Sequence, residues 1–414
     1  TSDKLGVSRE LADLLSTTRC TFSTIQEHIL KDEKALKSWC EQLKEQHESL
    51  AGIVHLTPVG SKEVPLNASV QEWRQQLQVN EKSLFILLHE LLPVCDENAH
   101  IMAASSLGGK FGRRPDNDKY SGLFIQGGAV GMLKSLAEEL PELRIRIVDL
   151  DATKGKEELA TTLMEELKLM GGRHEVGYPE GIRTIFRTVT APIEWKSENE
   201  EAINGHVVLA TGGLKGVTAE ALRELAVTGN TIIVTGRSKF PEDDEPEALK
   251  QLLTKKELRE YFIKEAHNQN VKSTLADIKR KIKSVLAARE MRNNLEDFQQ
   301  RGATVKYYSV DVTSDSGLQS LIVDVQKKYG PISGVVHGAG IIEDKRLSAK
   351  TAESWSRVVE TKTLGLLLLQ KYLEPADLKF FIVFSSVAGR YGNSGQSDYA
   401  TANELMNRIC CQLD

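Results

Sequence analysis

Phe384-Ser385-Ser386-Val387-Ala388-Gly389, followed by Gly395-Gln396-Ser397-Asp398-Tyr399-Ala400-Thr401-Ala402-Asn403, is the stretch that decides how this 414-residue chain is read. Before it, Phe380-Phe381-Ile382-Val383-Phe384 is an apolar run of strand type. A strand that ends in two serines delivers hydroxyls to the carboxyl edge of a sheet, where ligands bind in open α/β sheets. Tyr399 follows Ser386 by thirteen residues, enough for a turn to return it to the same edge on the next helix. Asn403, four residues on, lies one turn further along the same helical face. Of the two serines Ser386 is the candidate, because alternation along an extended chain points Ser385 to the opposite face. This spacing alone also fits a serine-capped loop before an ordinary helix, so the rest of the chain has to decide.

Working back from this stretch, His206–Ala210 reads as a strand, and Thr211-Gly212-Gly213-Leu214-Lys215-Gly216-Val217-Thr218 leads from it into a helix over 219–226. Strand, glycine turn and helix start are the parts of a dinucleotide pyrophosphate site, since glycines let phosphates approach the backbone and helix amides hold them. The next strand, Thr231–Gly236, ends in Arg237 and Ser238. A guanidinium there suits the 2′-phosphate of NADPH, where a site for the unphosphorylated cofactor usually carries Asp or Glu. Residues 239–300 read as an insertion: an acidic loop over 241–247, then amphipathic helices that include Leu275, Ile278, Ile282, Val285 and Leu286. Two further strands are expected over 303–312 and 333–340, and a helix carries Val358, Val359 and Lys362.

The first half alternates in the same way. Helices are expected over 1–50, strands over 51–56, 100–105 and 144–151, and apolar helices over 84–92 and from Gly127 to Pro141. Such alternation argues for a parallel sheet with helical crossovers. The glycines at 127, 128 and 131 lack the G-x-G-x-x-G spacing and do not directly follow a strand, so close helix packing is the expected use. This half reads as a Rossmann-type domain without a cofactor site. Residues 191–204 are polar and break the pattern, which places the domain boundary there.

Composition narrows the classes. With 40% hydrophobic and 27% charged residues the chain is an ordinary globular one, and a net charge of -5 gives no reason to expect nucleic acid or an anionic membrane as partner. No apolar run approaches the ~20 residues of a membrane span. The cysteines (Cys20, Cys40, Cys95, Cys410, Cys411) form no C-x-x-C, and no H-x-x-x-H pair is present, so no metal is expected and a reducing cytoplasm fits best.

Taken in order, these motifs resemble the ketoreductase domain of type I polyketide synthases, within the short-chain dehydrogenase/reductase superfamily, and most of all the ketoreductase of polyunsaturated fatty acid synthases. The carriers are the turn at 210–218, the His337-Gly338-Ala339-Gly340 turn, the helical insertion before Asp311, and the run Tyr391–Glu404. The resemblance implies an α/β fold of two Rossmann-like, doubly wound parallel-sheet subdomains. Residues 1–195 would be structural. Residues 196–414 would be a catalytic subdomain of the short-chain reductase type, with the insertion at 239–300 and an incomplete C-terminus. The parent polypeptide is expected to continue past Asp414 with at least one more strand.

The resemblance also implies roles. Most short-chain reductases carry Lys four residues after the tyrosine; here that place holds Asn403, and Lys362 stands upstream, an exchange that polyketide ketoreductases show. Tyr399 would be the proton donor and Ser386 a second donor to the carbonyl. Lys362 would supply the cation that a phenol of pKa ~10 needs near neutrality and would bind the nicotinamide ribose. Asn403 would hold the lysine or a water. Cofactor contacts would come from Thr211, Gly212, Gly213, Lys215, Gly216, Val217, Arg237, Ser238, Asp311, Val312, Gly338, Ala339 and Gly340, besides Lys362 and Tyr399. In the cofactor turns two places depart from the family pattern, Thr218 for the last glycine and His337 for an Asn; beyond them Ile342 and Glu343 replace the Leu and first Asp of a Leu-Asp-Asp motif. Asp344 matches the last Asp of the Leu-Asp-Asp motif of B-type ketoreductases, and Tyr391 stands where A-type ones have tryptophan, so a (3R)-hydroxyacyl product is expected. The implied activity is NADPH-dependent reduction of a 3-oxoacyl chain on an acyl carrier protein, within a megasynthase. The alternatives are a catalytically silent structural module and a free-standing reductase or epimerase of small molecules.

Overall fold

Apolar runs of strand length alternate with helices, and each run becomes a parallel strand. The computed structural model describes residues 1–18, 20–113, 122–192, 204–241, 245–269 and 272–413. In the first half Leu50–His55 (β1), Cys95–Ser105 (β2), Arg144–Leu150 (β3) and Glu175–Tyr178 (β4) form one sheet in the order β1-β2-β3-β4, every pair parallel. β2 starts five residues before the apolar run at 100–105, because Asp96, Glu97 and Asn98 extend by backbone geometry with no hydrophobic signal of their own. Met102, Val148 and Val176 of this sheet pack with Leu11, Leu159 and Leu163 from flanking helices. Among the described residues of the first fifty lie three helices, Val7–Ser16, Glu27–Leu30 and Glu33–Gln46. A helical run from Val70 to Leu91 contains one π-turn, Gln78–Lys82, and buries Asn80 and Glu81 there. Ala129–Glu139 (α1) follows Gly127 and Gly128.

The second half runs Val207–Thr211 (β5), Gly216–Leu225 (α2), Thr231–Gly236 (β6), Leu275–Gln300 (α3), Thr304–Ser309 (β7) and Gly334–His337 (β8). It continues with Ala352–Tyr372 (α4), Phe380–Val383 (β9), Val387–Tyr391 (α5) and Ser397–Leu413 (α6). The sheet order is β9-β8-β5-β6-β7, all parallel. From β5 the chain winds outward through β6 and β7, then returns to the other side with β8 and β9. That reversal makes this sheet doubly wound and puts its switch point at the carboxyl ends of β5 and β8, where sheets of this kind bind ligands. Both halves therefore have the Rossmann-like α/β fold expected from the sequence, but only the second sheet is doubly wound: the strands of the first follow in chain order, without the reversal expected of it.

β4 is not among the expected strands, and two further details in the second half differ from the sequence reading. α2 starts at Gly216, whose φ of 58° only glycine takes without strain, three residues before the expected start. β7 ends at Ser309, so Asp311 lies in the turn beyond it. The insertion is helical as read, and Leu258, Phe262, Ile278 and Ile282 give it a small core of its own. Residues 242–244 of its acidic loop, and 193–203 of the expected linker, lie outside the described residues. The chain divides into two compact units: Thr1–Ile193 with Gly340–Lys371 and Ser385–Asp414, and Glu194–Ala339 with Tyr372–Phe384. Among the described residues no helix is long and apolar enough to cross a membrane.

Candidate active site

Most of the candidate cofactor residues, from Thr211 to Ala339, lie in the second unit. Gly212 has φ of 74°, and a Cβ on it would lie 3.1 Å from both Ala339 Cα and Gly338 O, so glycine lets the two turns meet. Thr211 is fully buried; its Oγ1 accepts from Ala339 N at 3.1 Å and bonds His337 Nδ1 at 2.8 Å. The Thr211 hydroxyl and the His337 ring thus tie the turns together beneath the surface. Thr218 has a place in the same packing. A Cβ on Gly338 would fall 2.1 Å from Thr218 Oγ1, so the threonine fills the space that Gly338 leaves open. The glycine missing from position 218 has its counterpart at 338.

Lys215, Gly216 and Val217 are exposed, which opens the first amides of α2 to solvent. One of them is already engaged: Gly216 N donates at 2.7 Å to Glu290 Oε1 of α3. Nothing in the sequence marks Glu290, since only the placement of the insertion brings it there. Arg237 and Ser238 are exposed beyond β6, and their carbonyls accept from Ser309 Oγ at 3.1 Å and Tyr307 OH at 2.7 Å. Among the described residues Arg237 has no ion-pair partner. Asp311 closes a turn by accepting from Thr313 N at 2.9 Å and Thr313 Oγ1 at 2.8 Å, with Val312 buried behind it. Open helix amides and an unpaired guanidinium are a donor set that fits a dinucleotide.

The other candidate residues lie in the first unit. Lys362, near the middle of α4, is 4% exposed, and its Nζ stands 5.4 Å from the centroid of the Tyr399 ring. A Cβ on Gly340 would come 3.0 Å from Lys362 Cε, so glycine clears the path of that side chain. Burial lowers Lys362 to about 8, which leaves it mostly protonated at pH 7. Tyr399 is half-buried near the start of α6. Asn403 is fully buried; its Nδ2 donates to Tyr399 O at 2.7 Å, and its Oδ1 has no partner in the protein. Ser386 caps α5, its Oγ accepting from Ala388 N at 3.2 Å, which leaves its own proton free to donate elsewhere. Ser385 is exposed and donates to Asn403 O at 3.3 Å. α5 rests on α6 at Gly389, where a Cβ would meet Asn403 Cβ at 3.0 Å. Asp344 Oδ1 accepts from Gln396 Nε2 at 3.0 Å, three residues before Tyr399. Tyr391 OH bonds Thr188 Oγ1 at 2.6 Å.

The glycines at 127–131 serve packing. A Cβ on Gly131 would lie 2.3 Å from Ala400 O, and one on Gly128 would lie 2.7 Å from Leu405 Cγ, so α1 lies directly against the helix that carries Tyr399. The start of α1 is closed by the protein itself: Glu81 Oε1 accepts from Gly128 N at 2.9 Å. Burial pushes Glu81 up to about 8, against the opposing pull of the Gly128, Ala129 and Gly127 amides. Behind α6, burial would raise Glu175, but Lys134, Arg390 and Arg408 hold it below the usual carboxylate range.

Comparison with known proteins finds likeness along both halves of the chain. The family model for the KR domain matches residues 206–413, and one described as enoyl-(acyl carrier protein) reductase matches residues 10–168. Over 303 residues the chain is 29% identical to one of the subunits of the polyunsaturated fatty acid synthase of Thraustochytrium sp., covering 70% of this chain and 11% of that protein. Over 287 residues it is 29% identical to polyketide synthase PksN of Bacillus subtilis, covering 68% of this chain and 4% of that one. The chain thus spans a small part of the length of these relatives. An N-terminal ketoreductase from the macrolactin assembly line superposes with a TM-score of 0.67 at 20% identity, over 98% of this chain and 73% of that structure. A ketoreductase domain from the bacillaene assembly line gives 0.56 at 20% identity, over 99% and 74%. At these identities the structural likeness is one of fold.

Proposed function

Since the chain belongs to the KR domain family, we propose that it reduces the 3-oxo group of a β-ketoacyl chain carried on an acyl carrier protein, uses NADPH, and forms the (3R)-hydroxyacyl product within a larger synthase. The observation that carries this reading is the pairing of Lys362 with Tyr399 at 5.4 Å, with Asn403 one turn on. NADPH would be held by the α2 amides and Arg237, and when bound it supplies the hydride that the keto carbon takes up. The ketone oxygen then needs one proton, and Tyr399 gives it. The Lys362 ammonium offsets the negative charge left on the phenol. Ser386 donates a hydrogen bond to the same oxygen as charge builds there, a role typically worth a few kcal/mol in the transition state. Thr218, read from sequence as a lost glycine, supports the reading once its contact with Gly338 is considered, because it is buried beneath the turn.

The test is NADPH oxidation, followed by its near-ultraviolet absorbance, with a 3-oxoacyl thioester and the purified protein. Turnover is expected, with a loss of about a hundredfold or more in kcat/KM for Tyr399→Phe. Cofactor binding without turnover would favour the silent structural module, and preference for NADH would remove Arg237 from its role. Chiral analysis of the product tests the (3R) assignment, which a 3S excess would overturn.

A further inference from the structure

One pair of buried charges in the first unit has no part in the reaction described above. Lys350 Nζ lies 2.7 Å from Asp398 Oδ1, and neither side chain has exposed surface. Asp398 is the chain neighbour of Tyr399, and its Oδ1 also accepts from Tyr399 N at 2.8 Å. Lys350 Nζ donates in addition to the carbonyl of Glu343 at 2.8 Å. One ammonium thus joins the 343–345 loop to the first turn of α6.

Other bonds join the loop and the residues just after it to the residues just before α6. Lys345 N donates to Gly395 O at 3.0 Å, and Gln396 Nε2 donates to Asp344 Oδ1 at 3.0 Å. From α1, Glu139 spans both: its Oε2 accepts from Leu347 N at 2.8 Å and its Oε1 from Gly395 N at 3.0 Å. The two segments are therefore fixed at both ends of the loop by charged groups that accept or donate more than once.

Energetics argue that this pair serves geometry. Taking two charges out of water costs several kcal/mol per ion, and replacing a buried pair with well-packed apolar residues is often neutral or stabilising. Asp398 Oδ2 is buried without a partner, and burial pushes the Asp398 carboxyl upward while Lys350 opposes that shift. An arrangement that leaves one oxygen unsatisfied is a poor device for stability alone. It is a good device for holding one backbone position, because both partners are locked by additional bonds.

We propose that Lys350 and Asp398, braced by Glu139, are positioning residues that set the 343–345 loop against the helix turn bearing Tyr399, and so fix how the proton donor meets the ketone. The inference rests on Tyr399 being that donor. The charge-neutral double variant Lys350→Met/Asp398→Asn tests it without leaving an orphan charge in the core. It is expected to stay folded while kcat falls by about ten- to a hundredfold, as misplacement of a reacting group does. KM should change by less than roughly threefold, and the ratio of hydroxyl enantiomers should move toward equality. Glu139→Gln, which cannot accept from both amides, should shift kcat and the ratio in the same direction by less, and keeps the test open if the double variant does not fold. Wild-type kcat and enantiomer ratio in the double variant, or in Glu139→Gln should the double variant not fold, would overturn the proposal and leave the pair a stabilising contact. A wild-type protein that does not reduce a 3-oxoacyl thioester would instead overturn the assignment of Tyr399, and this inference with it.

Discussion

Each unit starts a helix beside a glycine and sets a carboxylate against that glycine's amide, yet the two arrangements differ in kind. In the first unit Glu81 and Gly128 are both buried, and the glycines that open α1 seat it against α6. In the second, Glu290 and Gly216 are both at the surface, and α2 starts exposed beside the point where the strand order reverses. Sheet order separates them further. β1-β2-β3-β4 follow in chain order, whereas the second sheet reverses at β5. Without a reversal there is no crevice for a ligand, and a helix start that would otherwise attract an anion is closed by a residue of the chain. The same local device thus gives a packing joint in one unit and a candidate ligand seat in the other, and burial decides which.

The largest expected effect follows from the joint. Gly131→Val would drive a Cβ to within 2.3 Å of the Ala400 carbonyl, a backbone atom that cannot swing aside. A cost of about 3 kcal/mol or more is expected, measured as a fall in the denaturant midpoint, with loss of turnover because α6 carries Tyr399. Gly216→Ala meets nothing within 4 Å and is strained only by its left-handed φ of 58°. It should cost only about 1 kcal/mol. Equal costs at the two positions would break the comparison.

A second effect, read as stability against pH, belongs to the buried carboxylate. Glu81 is raised from the ordinary carboxyl value to about 8. A carboxyl raised on folding contributes most below its unfolded pKa and loses that contribution as pH rises to its folded one. Between about pH 4.5 and 8 the folded state keeps a proton that the unfolded state has lost, so stability should fall with a slope of up to ~1.4 kcal/mol per pH unit. Glu81→Gln should remove that slope, seen as a difference between the two stability curves that grows across this window. Parallel curves would mean that Glu81 ionises in place and that the start of α1 holds a charge after all.

How far the sequence carried this distinction can be traced to particular residues. Ser386, Tyr399 and Asn403 were legible because they lie within eighteen residues and follow strand and helix periods. Lys362 entered through family resemblance, since no local period links it to Tyr399. Thr218 read as a defect, because its compensation at Gly338 is a contact across 120 positions. Glu81 and the Lys350–Asp398 pair were illegible for a related reason. In sequence a charge reads as solvated, and only the π-turn at 78–82 and the packing around α6 bury these. The glycines at 127–131 fared better, because their failure to follow a strand already argued for packing.

The smallest effect sharpens the surface half of the comparison. Glu290 Oε1 is bonded to the amide that a dinucleotide phosphate would use, and two anions compete for one donor. Glu290→Gln keeps the shape and removes the charge. If the carboxylate is a placeholder, NADPH should bind roughly threefold more tightly to the variant, the scale of one charge near a helix start at the surface. Titration at low and high salt adds a second criterion, because the gain should shrink as ionic strength screens the repulsion. Weaker binding by Glu290→Gln would reverse the assignment. Glu290 would then order the Gly216 turn for its ligand, as Glu81 orders the start of α1 for its neighbouring helix, and the two units would differ in exposure but share one function for the carboxylate.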